Sequence, residues 1–358
     1  MRPALPANDL DQILSLTPTF WLRFAGARIF VTGGTGFIGA WLLEACQHAN
    51  RELACGLQVV VLSRNPALAR AMAPHLFNDP AFELLAGDVR HFCPPVSSPV
   101  GRFDLCVHAA SDVGDVRKAG QHRDVFDSAV SGTRRVLDFA IESGVKRFLL
   151  TSSGAVYGVQ PPQMDKISES FTGAPDCLQV SSAYGNGKRA AEWLSCAAAD
   201  GATDMEVVIA RIFALLGPGL PLDGPFAAGN FIRDALRGDP IHIQGDGRPV
   251  RSYLYAADAC AWLLRLLEAG GRGEAYNVGS ESALSIAELA GKVAHATANP
   301  APASLPEPLP ADAAKLASSP RYVPDTRKAR QQLGLAQHTP FESALTKTIE
   351  WNRAAMQV

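Results

Sequence analysis

Short, wholly apolar runs alternate with longer stretches of helical period through the first 210 residues or so. Arg28-Ile-Phe-Val-Thr32 and Val59-Val-Val-Leu62 are β-branched and show no polar alternation, the pattern of strands covered on both faces. Weaker strands are expected at Phe82 to Leu85 and Leu105 to Val107, and further ones at Phe148-Leu-Leu-Thr151 and Val207-Val-Ile-Ala210. Between them the apolar spacing becomes helical at Phe37 to about Gln47, Arg134 to Glu142 and Tyr184 to Ala199. Buried strands alternating with helices predict an α/β fold, a doubly wound parallel sheet built with right-handed crossovers. Ahead of it a helix is expected around Asp9 to Leu16, stopped by Pro18, so that residues 1–25 read as a short N-terminal leader.

After Ala214 the pattern loosens. Gly, Pro and Asp become frequent from Gly217 to Gly229, Gly245-Asp-Gly247 is a second glycine turn, and Asn299 to Pro310 is proline-rich and reads as a surface loop. These shifts divide the chain into a dinucleotide-binding domain, residues 26–213 with about 254–279, and a smaller irregular C-terminal lobe, residues 214–253 and 280–358. No internal repeat is visible.

Composition narrows the function classes. The 358 residues are 47% apolar and 19% charged, ordinary for a globular protein. A net charge of −2 leaves no basic footprint for nucleic acid or an anionic membrane. No run approaches the roughly 18 apolar residues of a membrane span. The seven cysteines are scattered without a CxxC pair, which argues against a disulfide framework or a zinc site and for a reducing compartment. Asp9 and Asp11 interrupt any signal-peptide core. A cytoplasmic protein without a bound metal is expected.

The loop Gly33-Gly-Thr-Gly36-Phe-Ile-Gly39 lies directly between a strand and a helix. Glycines there allow a tight turn and close approach to a pyrophosphate, and the helix N-terminus directs free N–H groups at it. Gly33, Thr35, Gly36, Phe37, Ile38 and Gly39 are therefore candidate dinucleotide contacts; the alternative is a plain tight turn. The second strand ends in Ser63-Arg64, where NAD sites usually carry an acidic residue for the ribose. Arg64 is either a solvated loop charge or a partner for the 2′-phosphate of NADP, so the cofactor is NAD or NADP, with a lean to NADP. Gly87-Asp88-Val89 follows the third strand; Asp88 and Val89 there can hold the adenine, or Asp88 can cap a turn.

Tyr184 and Lys188 are four apart at the start of a helix, on one face. A free phenol, with a pKa of about 10, is a poor base at neutral pH. A neighbouring ammonium stabilises the phenolate, which can then exchange a proton with a carbinol. The pair alone is common by chance, as a surface tyrosine with a solvated lysine. Its weight comes from Thr151-Ser-Ser-Gly-Ala-Val-Tyr-Gly158 at the carboxyl end of a strand, where such sheets bind ligands. Ser153 can hydrogen-bond a reacting oxygen there, or merely shape a turn.

With these pieces the chain resembles the extended short-chain dehydrogenase/reductase family, in its nucleotide-sugar epimerase/dehydratase branch, over about residues 26–353. The motifs come in the family's order: Gly33 to Gly39, Val107-His-Ala-Ala110, Ser153 in Ser-Ser-Gly-Ala-Val-Tyr-Gly, Tyr184-Gly-Asn-Gly-Lys188, Gly245-Asp-Gly-Arg-Pro-Val-Arg251, Tyr276-Asn-Val-Gly279, and the tail from Pro324-Asp325 to Trp351. The resemblance implies a Rossmann domain for the cofactor, with Ala109 and Ala110 beside it and Lys188 on the nicotinamide ribose. It implies a catalytic group of Ser153, Tyr184 and Lys188, a lobe for a nucleotide sugar, and a homodimer. It assigns the diphosphate to an Asn before the lobe's helix, here Asn230, and to Arg251, whose guanidinium suits phosphate; the alternative for Arg251 is pairing with Asp246 or Asp258.

Departures refine the reaction. Where 4,6-dehydratases carry Asp-Glu after the catalytic hydroxyl, this chain has Gly154 and Ala155, and the Glu of the decarboxylases is missing from the same stretch. Ala129 and Ala214 stand where relatives often have Asn. Expected is redox chemistry at a ring hydroxyl, at C4, of a nucleoside-diphosphate hexose. A 4-epimerase comes first, an NADPH-dependent 4-keto-6-deoxyhexose reductase stands nearly level because of Arg64, and a 4,6-dehydratase or decarboxylase ranks below. A non-enzymatic dinucleotide sensor would have no use for Tyr184 and Lys188, and an enzyme of small aromatic or steroid substrates would have none for the Gly-Asp-Gly…Arg pattern.

Overall fold

The computed structural model describes residues 1–93, 101–111, 120–201, 204–298 and 320–356. The expected proline-rich loop at 299–310 lies outside the described residues. The chain divides into two compact units, one of Met1–Val156, Pro175–Arg211 and Cys260–Tyr276, the other of Tyr157–Ala174, Ile212–Ala259 and Asn277–Val358.

The first unit is built on a doubly wound sheet. Its strands are β1 (Arg28–Thr32), β2 (Gln58–Ser63), β3 (Phe82–Ala86), β4 (Leu105–His108), β5 (Arg147–Ser153), β6 (Glu206–Ile212) and β7 (Glu274–Val278), in the order β7-β6-β5-β4-β1-β2-β3. β1 pairs in parallel with β2 and β4, β2 with β3, and β4 with β5. Chain order reverses at β1, and this switch point places the carboxyl ends of β1 and β4 side by side as the natural ligand crevice. Six of β5's seven residues are apolar or small hydroxyl types that tolerate full burial, and the whole strand is buried.

Four helices frame the sheet: α1 (Ala7–Leu16), α2 (Phe37–Leu53), α3 (Gln121–Glu142) and α4 (Ala183–Asp200). α2 and α3 extend well past the apolar stretches that announce them, because polar turns at their ends add hydrogen bonds without needing core contact. α3 and α4 pack against each other. Beneath the sheet the core is aromatic: Phe30 and Phe139 have ring centres 4.5 Å apart, with Phe92 and Phe103 at 5.7 and 5.5 Å from Phe30. Burying each such ring is worth about 2–3 kcal/mol.

Pro18 does not end structure at the N-terminus. α1 stops at Leu16, and Pro18 takes the first position of a further short helix, Pro18–Arg23, where its fixed φ and missing N–H are tolerated. Leu10, Ile13, Leu14, Phe20 and Trp21 are buried, so residues 1–25 contribute core to this unit. The buried carboxylate of Glu44 on α2 accepts hydrogen bonds from Arg2 Nη2 at 2.6 Å and from the Leu5 N–H at 2.7 Å.

The second unit carries the irregular lobe. Val250–Ser252 pairs antiparallel with Ala283–Ser285 and parallel with Arg321–Tyr322, and Leu215–Leu216 pairs with Leu254–Tyr255. Its helices include α5 (Ala227–Arg237), then, after a helix shared between the units at Ala256–Ala269 (α6), α7 (Ile286–Thr297) and α8 (Phe341–Met356). α7 opens with a capping box between Ser285 and Glu288. Among the described residues no helix is long and apolar enough to cross a membrane.

Candidate active site

The site grows from a backbone contact at the head of the sheet. β1 runs into Gly33 and α2 begins at Phe37. Gly33 has φ +72°, and a Cβ there would lie 2.4 Å from the Ala109 carbonyl carbon. A Cβ on Gly39 would lie 2.2 Å from the Gly33 carbonyl oxygen. Loop, helix and the turn after β4 therefore touch backbone to backbone, which any side chain at these positions forbids. Gly36 is the N-cap of α2 and brings no side-chain cap. The first-turn N–H groups, with the positive end of the helix dipole, are left for an anion.

A cavity of about 360 Å³ opens over this loop. Gly33, Thr35, Gly36, Arg64, Asp88, Val89, Ala109 and Ala110 line it; Phe37, Ile38 and Gly39 run into α2 and do not. A glycine cradle, an uncapped helix terminus and an elongated pocket at the switch point fit a dinucleotide pyrophosphate with its adenosine toward Arg64 and Asp88. Asp88 closes a turn: its Oδ1 accepts from the Arg90 N–H and Nε, each at 2.9 Å, and its Oδ2 from Arg90 Nη2 at 2.9 Å. Those bonds hold the Asp88 carboxyl down at about 2. Arg90 therefore brings a second guanidinium to the cavity wall alongside Arg64.

At the carboxyl end of β5, Ser153 meets the first turn of α4. Tyr184 is half-buried, and the hydroxyls of Ser153 and Ser111 hydrogen-bond its phenol. Burial pushes the phenol's pKa up, and the two hydroxyls draw it back. Lys188, one turn on, is buried; its Nζ donates to the Thr151 carbonyl at 2.7 Å and lies 6.0 Å from the centre of the Tyr184 ring. Burial brings Lys188 down to about 8, and the carboxylate of Glu192 works against that fall. The lysine thus remains mostly ammonium at neutral pH. Ser111 joins the two halves, because it touches the phenol and lines the dinucleotide cavity.

Below this group, His108 at the end of β4 is sandwiched, with Nδ1 2.7 Å from Thr32 Oγ1 and Nε2 3.0 Å from Thr133 Oγ1. Burial, helped by the Lys188 charge, pushes its pKa down to about 3. A neutral ring can bridge two hydroxyls there without adding a second cation beside the lysine.

In the second unit Asn230 lies inside the first turn of α5, not ahead of it, because the helix already starts at Ala227; its Oδ1 is 3.3 Å from Arg233 Nη1. Arg251 does not pair with Asp246, which is bound by Arg248, nor with Asp258, whose Oδ2 accepts the His338 and Thr339 N–H groups. Its guanidinium donates to the Val250 carbonyl at 2.9 Å and lies 5.6 Å from the Tyr322 ring centre. Burial pulls its pKa below the usual arginine range. Among the described residues no carboxylate neutralises it.

Four residues of consequence had no part in the sequence reading. Ser111 follows Ala110 directly, and Arg90 lies two residues after Asp88, so both were within reach of the motifs. Glu192 continues the spacing of Tyr184 and Lys188 by another four residues, which the helix turns onto the same face. Its partner Arg211 comes from β6, a long-range pairing that no local pattern announces.

The geometry has close counterparts. Residues 29–279 match the NAD dependent epimerase/dehydratase family. The chain belongs to that family. Among its curated relatives is UDP-glucuronic acid decarboxylase 2 of Arabidopsis thaliana, 34% identical over 281 residues, covering 78% of this chain and 59% of the relative. The chain thus spans about three-fifths of the length of the relatives it matches most strongly. Among solved structures, MoeE5 in complex with UDP-glucose and NAD is 26% identical with a TM-score of 0.74, covering 92% of this chain and 99% of that one. The UDP-glucose 4-epimerase of Thermotoga maritima with UDP-glucose has the same TM-score, 0.74, at 21% identity over 92% of this chain and 99% of that one, a likeness of fold. Membership in this family makes the chain an enzyme of the extended short-chain dehydrogenase type.

The glycine cradle gives a direct test. Gly39→Ala inserts a methyl against the Gly33 carbonyl and should weaken dinucleotide binding by about tenfold or more while the protein still melts cooperatively. Affinity measured by quenching of tryptophan fluorescence checks this; an unchanged Kd would separate the loop from the cofactor.

Proposed function

We propose that the protein oxidises and re-reduces a ring hydroxyl, at C4, of a nucleoside-diphosphate hexose, acting as a 4-epimerase. The supporting observation is the Tyr184 phenol, held by the Ser153 and Ser111 hydroxyls one turn from the buried Lys188 ammonium, beside a cavity built for a dinucleotide. The bound nicotinamide would supply the acceptor and donor of hydride. Tyr184 takes the proton from the sugar hydroxyl and later returns it. Ser153 steadies that oxygen. Lys188 lowers the cost of the phenolate and holds the ribose. Arg251, a half-buried cation with no carboxylate partner among the described residues, is the candidate clamp for the substrate's diphosphate, with Asn230 on α5 as its companion.

A second reading, decarboxylation of a nucleotide hexuronic acid, is favoured by the 34% identity to UDP-glucuronic acid decarboxylase 2. It shares the C4 oxidation, after which a β-keto acid readily loses carbon dioxide. The four residues Gly154–Tyr157 that follow Ser153 carry no carboxylate to assist it. UDP-glucose and UDP-glucuronic acid, each supplied with NAD or NADP and followed by NMR and absorbance at 340 nm, separate the two readings. Epimerisation inverts C4 with no net absorbance change and decarboxylation yields a pentose; net consumption of NADPH when a nucleotide 4-keto-6-deoxyhexose is supplied instead points to a reductase. With the active substrate, Tyr184→Phe should cut turnover by about 10³-fold and leave cofactor affinity within a few fold. Arg251→Ala should instead raise the Kd for the nucleotide sugar by about tenfold or more. Unchanged turnover in the first variant would remove Tyr184 from the chemistry.

For the cofactor, NADP(H) is the reading supported by Arg64 and Arg90 on the cavity wall and by the absence of an acidic side chain at the end of β2. Arg64→Ala should weaken NADP binding about tenfold and NAD binding hardly at all. Equal losses for both would assign the residue to neither phosphate. A homodimer through α3 and α4 is supported by Trp193, 68% exposed on α4, with Phe126 and Ile141, 37% and 40% exposed, on α3. Sedimentation equilibrium should show a dimer that Trp193→Glu converts to monomer.

A further inference from the structure

A buried ionic cluster lies one turn beyond Lys188. Glu192 on α4 is only 8% exposed. Its Oε1 accepts from Arg211 Nε at 3.0 Å and its Oε2 from Arg211 Nη2 at 2.7 Å, a two-pronged pair from β6. The Ser152 hydroxyl, next to Ser153 on β5, donates to the same Oε1 at 2.5 Å. Three elements thus meet on one carboxylate: the helix carrying Tyr184 and Lys188, the strand carrying Ser153, and the neighbouring strand. A carboxylate this far from water is costly unless fully bonded, and replacing such a pair with apolar groups is often neutral or better for stability. Something other than stability is a reason to keep it.

We propose that Glu192, fixed by Arg211 and Ser152, is a positioning residue that sets α4 against the end of β5 and keeps Lys188 in its ammonium form. The inference rests on the reading of Lys188 as the group that holds the nicotinamide ribose. Lys188 is 2% exposed, with the Thr151 carbonyl as its hydrogen-bond acceptor, so a nearby negative charge matters more than it would in water. The groups facing the lysine can be named. Its own helix supplies Tyr184 and Glu192. β4 supplies the neutral His108, and β6 supplies Arg211 behind Glu192. β5 offers only the uncharged Thr151, Ser152 and Ser153. α3, packed across α4, buries no charged side chain and sets Phe126 and Ala129 against Gly187. Glu192 is the one carboxylate in this set.

The sign follows directly. The ammonium donates to ribose hydroxyls more strongly than the neutral amine, so cofactor affinity should fall as pH rises through the Lys188 pKa, about 8. Removing the Glu192 charge lowers that pKa and moves the fall to lower pH. The test is the Kd of the full chain for NAD and for NADP, by tryptophan quenching, from pH 6 to pH 10. Glu192→Gln keeps the shape and an acceptor for Ser152, and should shift the alkaline fall down by about one pH unit. In Glu192→Gln with Arg211→Met the second charge goes too, and the fall should sit between those of the single variant and the parent; this pair also carries the test if the single variant does not fold. A fall that stays put in a cooperatively melting variant overturns the proposal and leaves Glu192 a structural residue. Lys188→Met locates the failure: a fall that survives in this variant belongs to another group, and the reading of Lys188 itself is then wrong.

Discussion

A cation stripped of water governs the architecture of this site. Lys188 projects from α4 into the end of the sheet, where solvent cannot screen it. An ammonium tolerates such a place only with compensation, here the Thr151 carbonyl and the nearby Glu192. Neighbours must also decline to add charge of the same sign. His108 does so by staying neutral between two threonine hydroxyls, which lets it brace β1 and α3 without competing. The Tyr184 phenol is raised by burial and drawn back by the Ser153 and Ser111 hydroxyls, one helical turn from that cation.

Much of this was legible in the chain because its determinants are local. The strands β1, β2 and β5 announce themselves as unbroken apolar runs, and the glycine loop is identified by standing between a strand and a helix. Tyr184 and Lys188 share a helix face by spacing alone. What escaped notice has long-range causes. The pairing of Glu192 with Arg211 needs β6 to lie beside β5, a fact of strand order. Ser111 reaches Tyr184 only because β4 and β5 are neighbours. The N-terminal segment reads as a leader because its one expected helix is short and stands ahead of the first strand; the burial of its apolar residues comes from the face they meet. Asn230 was placed ahead of its helix because nothing in Phe226-Ala-Ala-Gly229 marks where the first turn begins.

Family likeness and local chemistry pull in different directions on the reaction. Identity across the chain leans toward decarboxylases, whereas the turn after Ser153 lacks the acid that chemistry would recruit. Both start by withdrawing hydrogen from the same carbon, which is the step proposed for the Ser153, Tyr184 and Lys188 group. Divergence within this family is then a matter of what surrounds the oxidised carbon, and the two residues that follow Ser153 in this chain, Gly154 and Ala155, are small and uncharged.

Arg251 has a thermodynamic corollary. Its guanidinium is half-buried over the Tyr322 ring with no opposing charge among the described residues, so the lobe bears the cost of partly drying a cation. A diphosphate held there, as proposed for the substrate, would relieve that tension. Occupancy and folding of the lobe would then be linked, and the native state would deepen with ligand concentration according to mass action.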